Sequence, residues 1–355
     1  MPSSQAQPLE TFNRDVNPSQ QFVQAYPEFN NLIENEIIST KFAQHEKSAV
    51  RWKRVYTWLG RIALVCIFLV MLLLDYQLTL RSYYGTSVIF AVVGVAAAAI
   101  GLVAQLVLIF ASVRERWLIE RFAAERLRCL KFRTFILIGK ASNATALNTL
   151  VEVFSREQAA HLDQELLGGR SALLEFAPMH FSVSELTATC NPAREIVERA
   201  HAIYDRLRLE VQLQHFEGRL ALHQERARSP AALSEFAFAS GAFLALIGIF
   251  VTGWSVTPIS VGAHSIPDSW QAWLYFLTWC GFVISAVVSV YQRGSGDRPN
   301  AERYARYARE VRRLRQHSEH AELNQFLETV AEMEFIALEE LRDFCRDAAH
   351  SNYIF

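Results

Sequence analysis

Four stretches of this chain carry almost no charge, and strongly charged segments separate them. The longest is Ser87–Ala111 (SVIFAVVGVAAAAIGLVAQLVLIFA), where Gln105 is the one strongly polar side chain. At 1.5 Å rise per residue, about 25 helical residues cross a hydrocarbon core of ~30 Å. A helix buried in a soluble protein rarely stays apolar on every face for so long. Residues 58–74, 236–254 and 270–291 repeat the pattern. The pattern predicts an all-α membrane protein with four transmembrane helices (58–74, 87–111, 236–254 and 270–291), grouped as two hairpins at 58–111 and 236–291.

The charged segments also read as helices, because proline and glycine are sparse in them. Residues 29–57 form a charged helix that feeds the first span, and residues 75–86 are expected to turn. Arg114-Glu115-Arg116 follows the second span with no turn residue between. One helix is therefore expected to continue from the membrane into water. Within 112–235, Trp117–Phe135 is a basic helix and Asn143–Leu167 an amphipathic one, closed by Gly168-Gly169. Asn191-Pro192 supplies an N-cap followed by proline at the first helical position, and a long helix is expected from Ala193 towards Arg228. In the third span Ala237, Gly241 and Ala245 stand four apart, which allows another helix to approach closely. Residues 292–355 hold a basic helix and then an amphipathic one with Phe326, Val330, Met333, Phe335 and Leu338. The chain ends in apolar Tyr353-Ile354-Phe355.

Residues 1–28 are polar and contain four prolines. No basic stretch followed by an apolar core and a small-residue cleavage site opens the chain, so a secretory signal is not expected. These residues read as a flexible tail; the alternative is a tail that covers or gates something.

Lysine and arginine set the orientation. Lys47, Arg51, Lys53 and Arg54 precede the first span, and Arg114, Arg116, Arg121 and Arg126 follow the second. The first connecting turn has only Arg81, and the second has no lysine or arginine. The positive-inside rule then puts both termini and 112–235 in the cytoplasm, forming a long-helix cytoplasmic domain. Trp52, Tyr56 and Trp58, and on the other side Trp254, Trp270 and Trp273, suit the two interfaces.

The net charge of −1 excludes neither membrane nor anionic partners. Five cysteines are scattered without a CxxC pair, and Cys66 and Cys280 fall inside spans, so neither a disulfide framework nor a zinc site is expected. His317 and His320 are too few for a metal site. There is no G-x4-GK[ST], HExxH or G-x-S-x-G, so no catalytic residue, cofactor or enzymatic activity is expected.

Two sets of residues are candidates for function. Thr278, Ser285, Ser289 and Gln292 share one face of the fourth span, and Gln105 needs a partner or a wet cavity in hydrocarbon. Together they are pore-lining candidates. Equally, serine and threonine bond their own i−4 carbonyls or join neighbouring helices. The second set is basic: Arg126, Arg128, Lys131 and Arg133, with Arg309, Arg312, Arg313 and Arg315, could hold an anionic nucleotide or oligonucleotide. They also suit lipid headgroups, or neutralisation by acids such as Glu319, Glu322 and Glu328.

The two hairpins form a weak internal repeat, each a charged helix, span, turn, span and basic helix. After the first hairpin comes Trp117, Arg121, Ala124, Glu125, Leu127 and Arg128, in the spacing W-x3-R-x2-A-E-x-L-R. With Tyr204-Asp205-Arg206-Leu207 to Gln212, and the closing Met333-Glu334 to Glu339-Glu340, this resembles the SLATT membrane effector domains of bacterial conflict systems. The second basic helix departs from the pattern, with Tyr304 in place of tryptophan and Glu310 one step off. The resemblance implies an effector of the bacterial inner membrane, acting as a homo-oligomeric pore that depolarises the infected cell. It also implies a partner nucleotidyltransferase that makes the signal. A non-conducting scaffold in the bilayer that recruits a soluble partner is the alternative.

Overall fold

The computed structural model describes residues 13–80, 88–178, 180–256, 268–318 and 322–350. These residues form helices and no strand. Residues 1–12, 81–87 and 257–267 lie outside them, and so do most of the turn expected at 75–86 and of the loop expected at 255–269, together with Glu319, His320 and Tyr353-Ile354-Phe355. The long helices are α1 (Glu36–Thr79), α2 (Val88–Phe110), α3 (Val113–Arg133), α4 (Ala144–Leu166), α5 (Arg194–Tyr204), α6 (Glu210–Val256), α7 (Asp268–Ser295), α8 (Asp297–His317) and α9 (Leu323–His350). Four helical runs, Pro27–Thr79, Val88–Phe110, Arg194–Ile249 and Trp270–His317, are long and apolar enough to cross a membrane.

Several boundaries differ from the expected ones, each for a local reason. The first span does not turn at Asp75. No helix breaker lies between Asp75 and Thr79, and the Thr79 hydroxyl donates to the Asp75 carbonyl at 2.7 Å. The second span does not run on into the basic helix. Ser112 takes a left-handed conformation (φ 48°), which ends α2 and restarts the ladder at Val113. Asn35 (φ 37°) interrupts the first charged helix in the same way. The N-cap of α5 is Ala193, without a side-chain cap bond, rather than Asn191. After α5 a π-helical turn over Asp205–Leu209 leads directly into α6. The amphipathic helix at 143 follows its pattern: Asn143 caps α4 by accepting from the Ala146 N–H at 2.9 Å.

The described residues divide into two compact units. The charged unit is drawn from 1–53, 114–222 and 299–350, and the apolar unit from 54–113 and 223–298. The charged unit has its main core where α9 meets α3, α5 and the 3-10 turn Thr134–Lys140. Phe132, Phe135, Tyr204, Phe326, Val330 and Met333 are buried together there. A smaller cluster joins Val16 to Ile38, Phe42, Leu127 and Leu162.

In the apolar unit, close approach depends on glycine. A Cβ on Gly281 would stand 2.9 Å from both the Ala237 carbonyl oxygen and Gly241 Cα. On α2, a Cβ at Gly101 would meet Cys66 Cβ at 2.9 Å. The rest of α2 is exposed on most faces, with Val88 and Phe110 more than three-quarters accessible.

Candidate functional site

Three polar side chains of α7, those of Thr278, Ser285 and Ser289, are used in bonds along α7 or to α6. Thr278 Oγ1 donates to the Leu274 carbonyl at 2.7 Å, one turn back along its own helix. Ser285 and Ser289 meet α6: Ser234 Oγ lies 3.2 Å from Ser285 Oγ, 3.0 Å from Ser289 Oγ and 3.3 Å from the Ser285 carbonyl oxygen. This three-serine seam continues the line of contact set by Gly241 and Gly281. Gln292 has a buried Nε2 without a hydrogen-bond partner among the described residues, although its backbone carbonyl accepts from Ser295 Oγ at 3.1 Å. Gln105 on α2 is half-buried and makes no side-chain hydrogen bond among the described residues. Thr278, Ser285 and Ser289 are thus engaged in bonds along α7 or to α6, and Gln105 stands on a different helix, α2.

Sequence reasoning missed two members of this unit. Ser234 precedes the apolar stretch that defines the third span, and no intrahelical pattern marks it as a partner of Ser285. Asp75 falls where a turn was expected, yet it is buried on α1 with Oδ2 3.9 Å from Cys280 Sγ. The spacing of an isolated acid at the end of an apolar run was the available signal.

Most of the basic candidates have acidic partners within the charged unit. Arg126 pairs with Glu165 at 3.1 Å, Arg133 with Glu185 at 3.3 Å, and Arg313 with Glu332 at 3.2 Å. Arg312 pairs with Glu217, and Arg315 holds Asp205 through two bonds of 2.7 and 2.8 Å. Arg309 is exposed. Among the described residues the neutralising acids are Glu332, Glu217 and Asp205, because α8 lies against α6 and the π-turn as well as α9; the expected Glu319 lies outside the described residues.

The two basic groups do not converge. Arg312 and Arg315 line a cleft of about 420 Å³ with His201, Asp205, Arg206, Gln316 and Ser318, and none of residues 126–133 reaches it. His201 Nε2 is buried without a hydrogen-bond partner among the described residues, and burial lowers the pKa of the ring against the opposing pull of Asp205 and of a backbone bond to Ser318.

Arg128 and Lys131 lie elsewhere, inside the charged unit, and both are fully buried. Their surroundings form a chain of alternating charge. Arg208, on the π-turn, donates to both Glu334 oxygens on α9 at 2.8 and 2.7 Å, and Tyr204 OH donates to Glu334 Oε1 at 3.0 Å. Arg128 Nη1 holds Glu125, which also pairs with Arg121; Arg121 reaches Glu46 at 3.1 Å. Asp15, fully buried, lies with Oδ2 3.2 Å from Arg128 Nε and 3.8 Å from Arg208 Nη1. Lys131 Nζ donates to the Asp15 and Val16 carbonyls at 3.1 and 2.6 Å, and burial lowers its pKa to about 7. The Trp117–Arg128 spacing noted in the sequence supplies two of these cations, while Asp15 carried no sequence signal at all.

No family model, no curated protein and no solved structure matches this chain.

Proposed function

We propose that copies of this chain assemble in a membrane into an ion-conducting pore, acting as a toxic effector whose opening collapses the membrane potential. In this reading α1 with α2 and α6 with α7 are two transmembrane hairpins. The charged unit stands in the cytoplasm and reads a nucleotide-type signal. The observation that carries the reading is Gln105. A half-buried amide with no partner among the described residues, on a helix otherwise apolar on all faces, is satisfied when neighbouring copies bring it to a shared polar path. The exposed small and apolar side chains of α2 suit both helix–helix contact between copies and lipid. The lining thus moves from α7, whose hydroxyls are already bonded, to α2. The effector role rests on the resemblance of the Trp117–Arg128 spacing and the hairpin architecture.

Planar-bilayer recording of the purified protein tests the reading. Stepwise current is expected, and Gln105→Leu should change single-channel conductance at least about twofold without loss of insertion. A silent bilayer with well-inserted, oligomeric protein would exclude conduction. The scaffold reading is favoured by one observation, that Thr278, Ser285 and Ser289 are all used in packing. It predicts that Gln105→Leu leaves toxicity in cells unchanged.

A further inference from the structure

The chain of buried charges holds an asymmetry. Arg128 and Lys131 come from α3 and Arg208 from the π-turn, and Glu125 and Glu334 from α3 and α9 are fixed beside them. The third carboxylate, Asp15, comes from the segment 13–16 near the N-terminus. It belongs to none of the long helices. This segment presents four oxygens to the cations. Asn13 Oδ1 accepts from Arg128 Nη2 at 2.7 Å, Asp15 Oδ2 faces Arg128 and Arg208, and the Asp15 and Val16 carbonyls accept from Lys131.

The fit of the carboxylate is incomplete. Asp15 Oδ1 is taken by the Val16 N–H of its own segment at 2.9 Å, and Oδ2 makes no hydrogen bond among the described residues although a guanidinium nitrogen stands 3.2 Å away. Fully buried charges normally survive only with aligned partners. Remove the segment, and Arg128, Arg208 and Lys131 lose one carboxylate and three neutral acceptors, keeping Glu125, which Arg121 shares, Glu334 and, acting on Lys131, Glu34. The cations left without those acceptors stand in a site lined by Phe42 and Phe132, whose rings lie 5.1 and 4.6 Å from the Arg128 and Arg208 guanidinium carbons.

We propose that Arg128, Arg208 and Lys131 form a binding site for a phosphoryl group, that Asp15 occupies it as a built-in substitute, and that an incoming phosphate-bearing ligand releases residues 13–16. A phosphoryl group gathers three acceptor oxygens on one centre, where the segment supplies four from separate groups, and its fork-shaped contacts suit arginine better than the misaligned carboxylate does. It also brings more negative charge than Asp15, which holds the proton on Lys131. The segment is bound in cis, so it lowers the apparent affinity of any ligand by the fraction of time the site is open. The site is distinct from the Arg312–Arg315 cleft, and it does not depend on whether ions cross the membrane.

The test uses the full chain in phosphatidylcholine nanodiscs, with inorganic pyrophosphate as probe and hydrogen–deuterium exchange as readout. Pyrophosphate is expected to speed exchange of the peptide spanning 13–24 by about tenfold or more, while α4 exchanges as before and chloride at equal ionic strength has no effect. Asp15→Asn, which keeps the shape and removes the charge, should bind pyrophosphate about tenfold more tightly than the wild type. Nanodiscs containing phosphatidic acid separate the sources: release by these discs alone assigns the phosphoryl group to a lipid headgroup, and release by pyrophosphate alone assigns it to a soluble ligand. Unchanged exchange in the wild type under both conditions overturns the proposal. So does a folded Asp15→Asn protein with no gain in pyrophosphate affinity. The wild-type arm stands even where the variant does not fold.

Discussion

In the charged unit, Arg208, Glu334, Arg128 and Asp15 are each at most 1% exposed, and charge answers charge from side chain to side chain. In the apolar unit, the polar atoms of Thr278, Ser234, Ser285 and Ser289 are neutral hydroxyls that lean on backbone carbonyls or on one another. The difference lies in what happens when a partner is lost. A buried guanidinium has no substitute for its carboxylate, and taking a charge out of water costs several kcal/mol per ion. A hydroxyl on a helix always has the carbonyl one turn back within reach. The charged unit is therefore specific and brittle, whereas the apolar unit tolerates polar change and is limited by how closely its backbones approach.

The sharpest way to break this contrast is at Glu334. Glu334→Leu leaves Arg208 buried with its two best bonds gone and the Tyr204 hydroxyl without its acceptor. A loss of about 3–5 kcal/mol is expected in denaturant unfolding of the detergent-solubilised protein. Adding Arg208→Met to Glu334→Leu should recover at least about half of that loss, because the stranded charge goes with it. If the double variant is no more stable than the single, the cost comes from packing and the electrostatic account fails.

Next in size is the helix contact of the apolar unit. In Gly281→Ala the new methyl would meet the Ala237 carbonyl and the Gly241 backbone at 2.9–3.0 Å, and backbone atoms cannot swing aside. Separation of α6 from α7 should cost about 1–3 kcal/mol in the same unfolding measurement. Gly248→Ala is the matched control, since no side chain or other helix among the described residues comes within 4 Å of a Cβ there, and it should cost less than Gly281→Ala. Equal losses at the two sites would mean that the contact is not set by glycine.

These two positions also show what the sequence could and could not reveal. The apolar stretches were legible because a helix able to cross a membrane satisfies every backbone group within itself and carries a long unbroken apolar run. The small residues Ala237 and Gly241 were legible as a contact face for the same reason, although their partner Gly281 was not. The helix joints at Asn35 and Ser112 were not legible, because a single left-handed residue leaves no periodic trace. The charge network was half visible. The W-x3-R-x2-A-E-x-L-R spacing placed Arg121, Glu125 and Arg128 on α3, but their spacing alone suits a solvated face as well as a buried one. Asp15 is 113 residues from Arg128, and pairing at such separation is decided by tertiary packing alone.

The smallest expected effect is the most direct test of the tolerance assigned to the apolar unit. Ser234→Ala removes the hydroxyl that lies within 3.3 Å of three oxygens on α7. If hydroxyl bonds in this unit were as indispensable as the Arg208–Glu334 pair, the loss would be several kcal/mol. Ser285 and Ser289, however, each keep a backbone carbonyl one turn back on α7, so neither is stranded when Ser234 is shortened. The alanine methyl also fits the space of the serine it replaces, so Gly241 and Gly281 keep their contact. The expected cost is about 0.6 kcal/mol, the average found for side-chain hydrogen bonds between membrane helices. A loss above about 2 kcal/mol would show that the seam is as brittle as the charge network. It would then have to be a structural lock, and the contrast between the two units would no longer rest on charge.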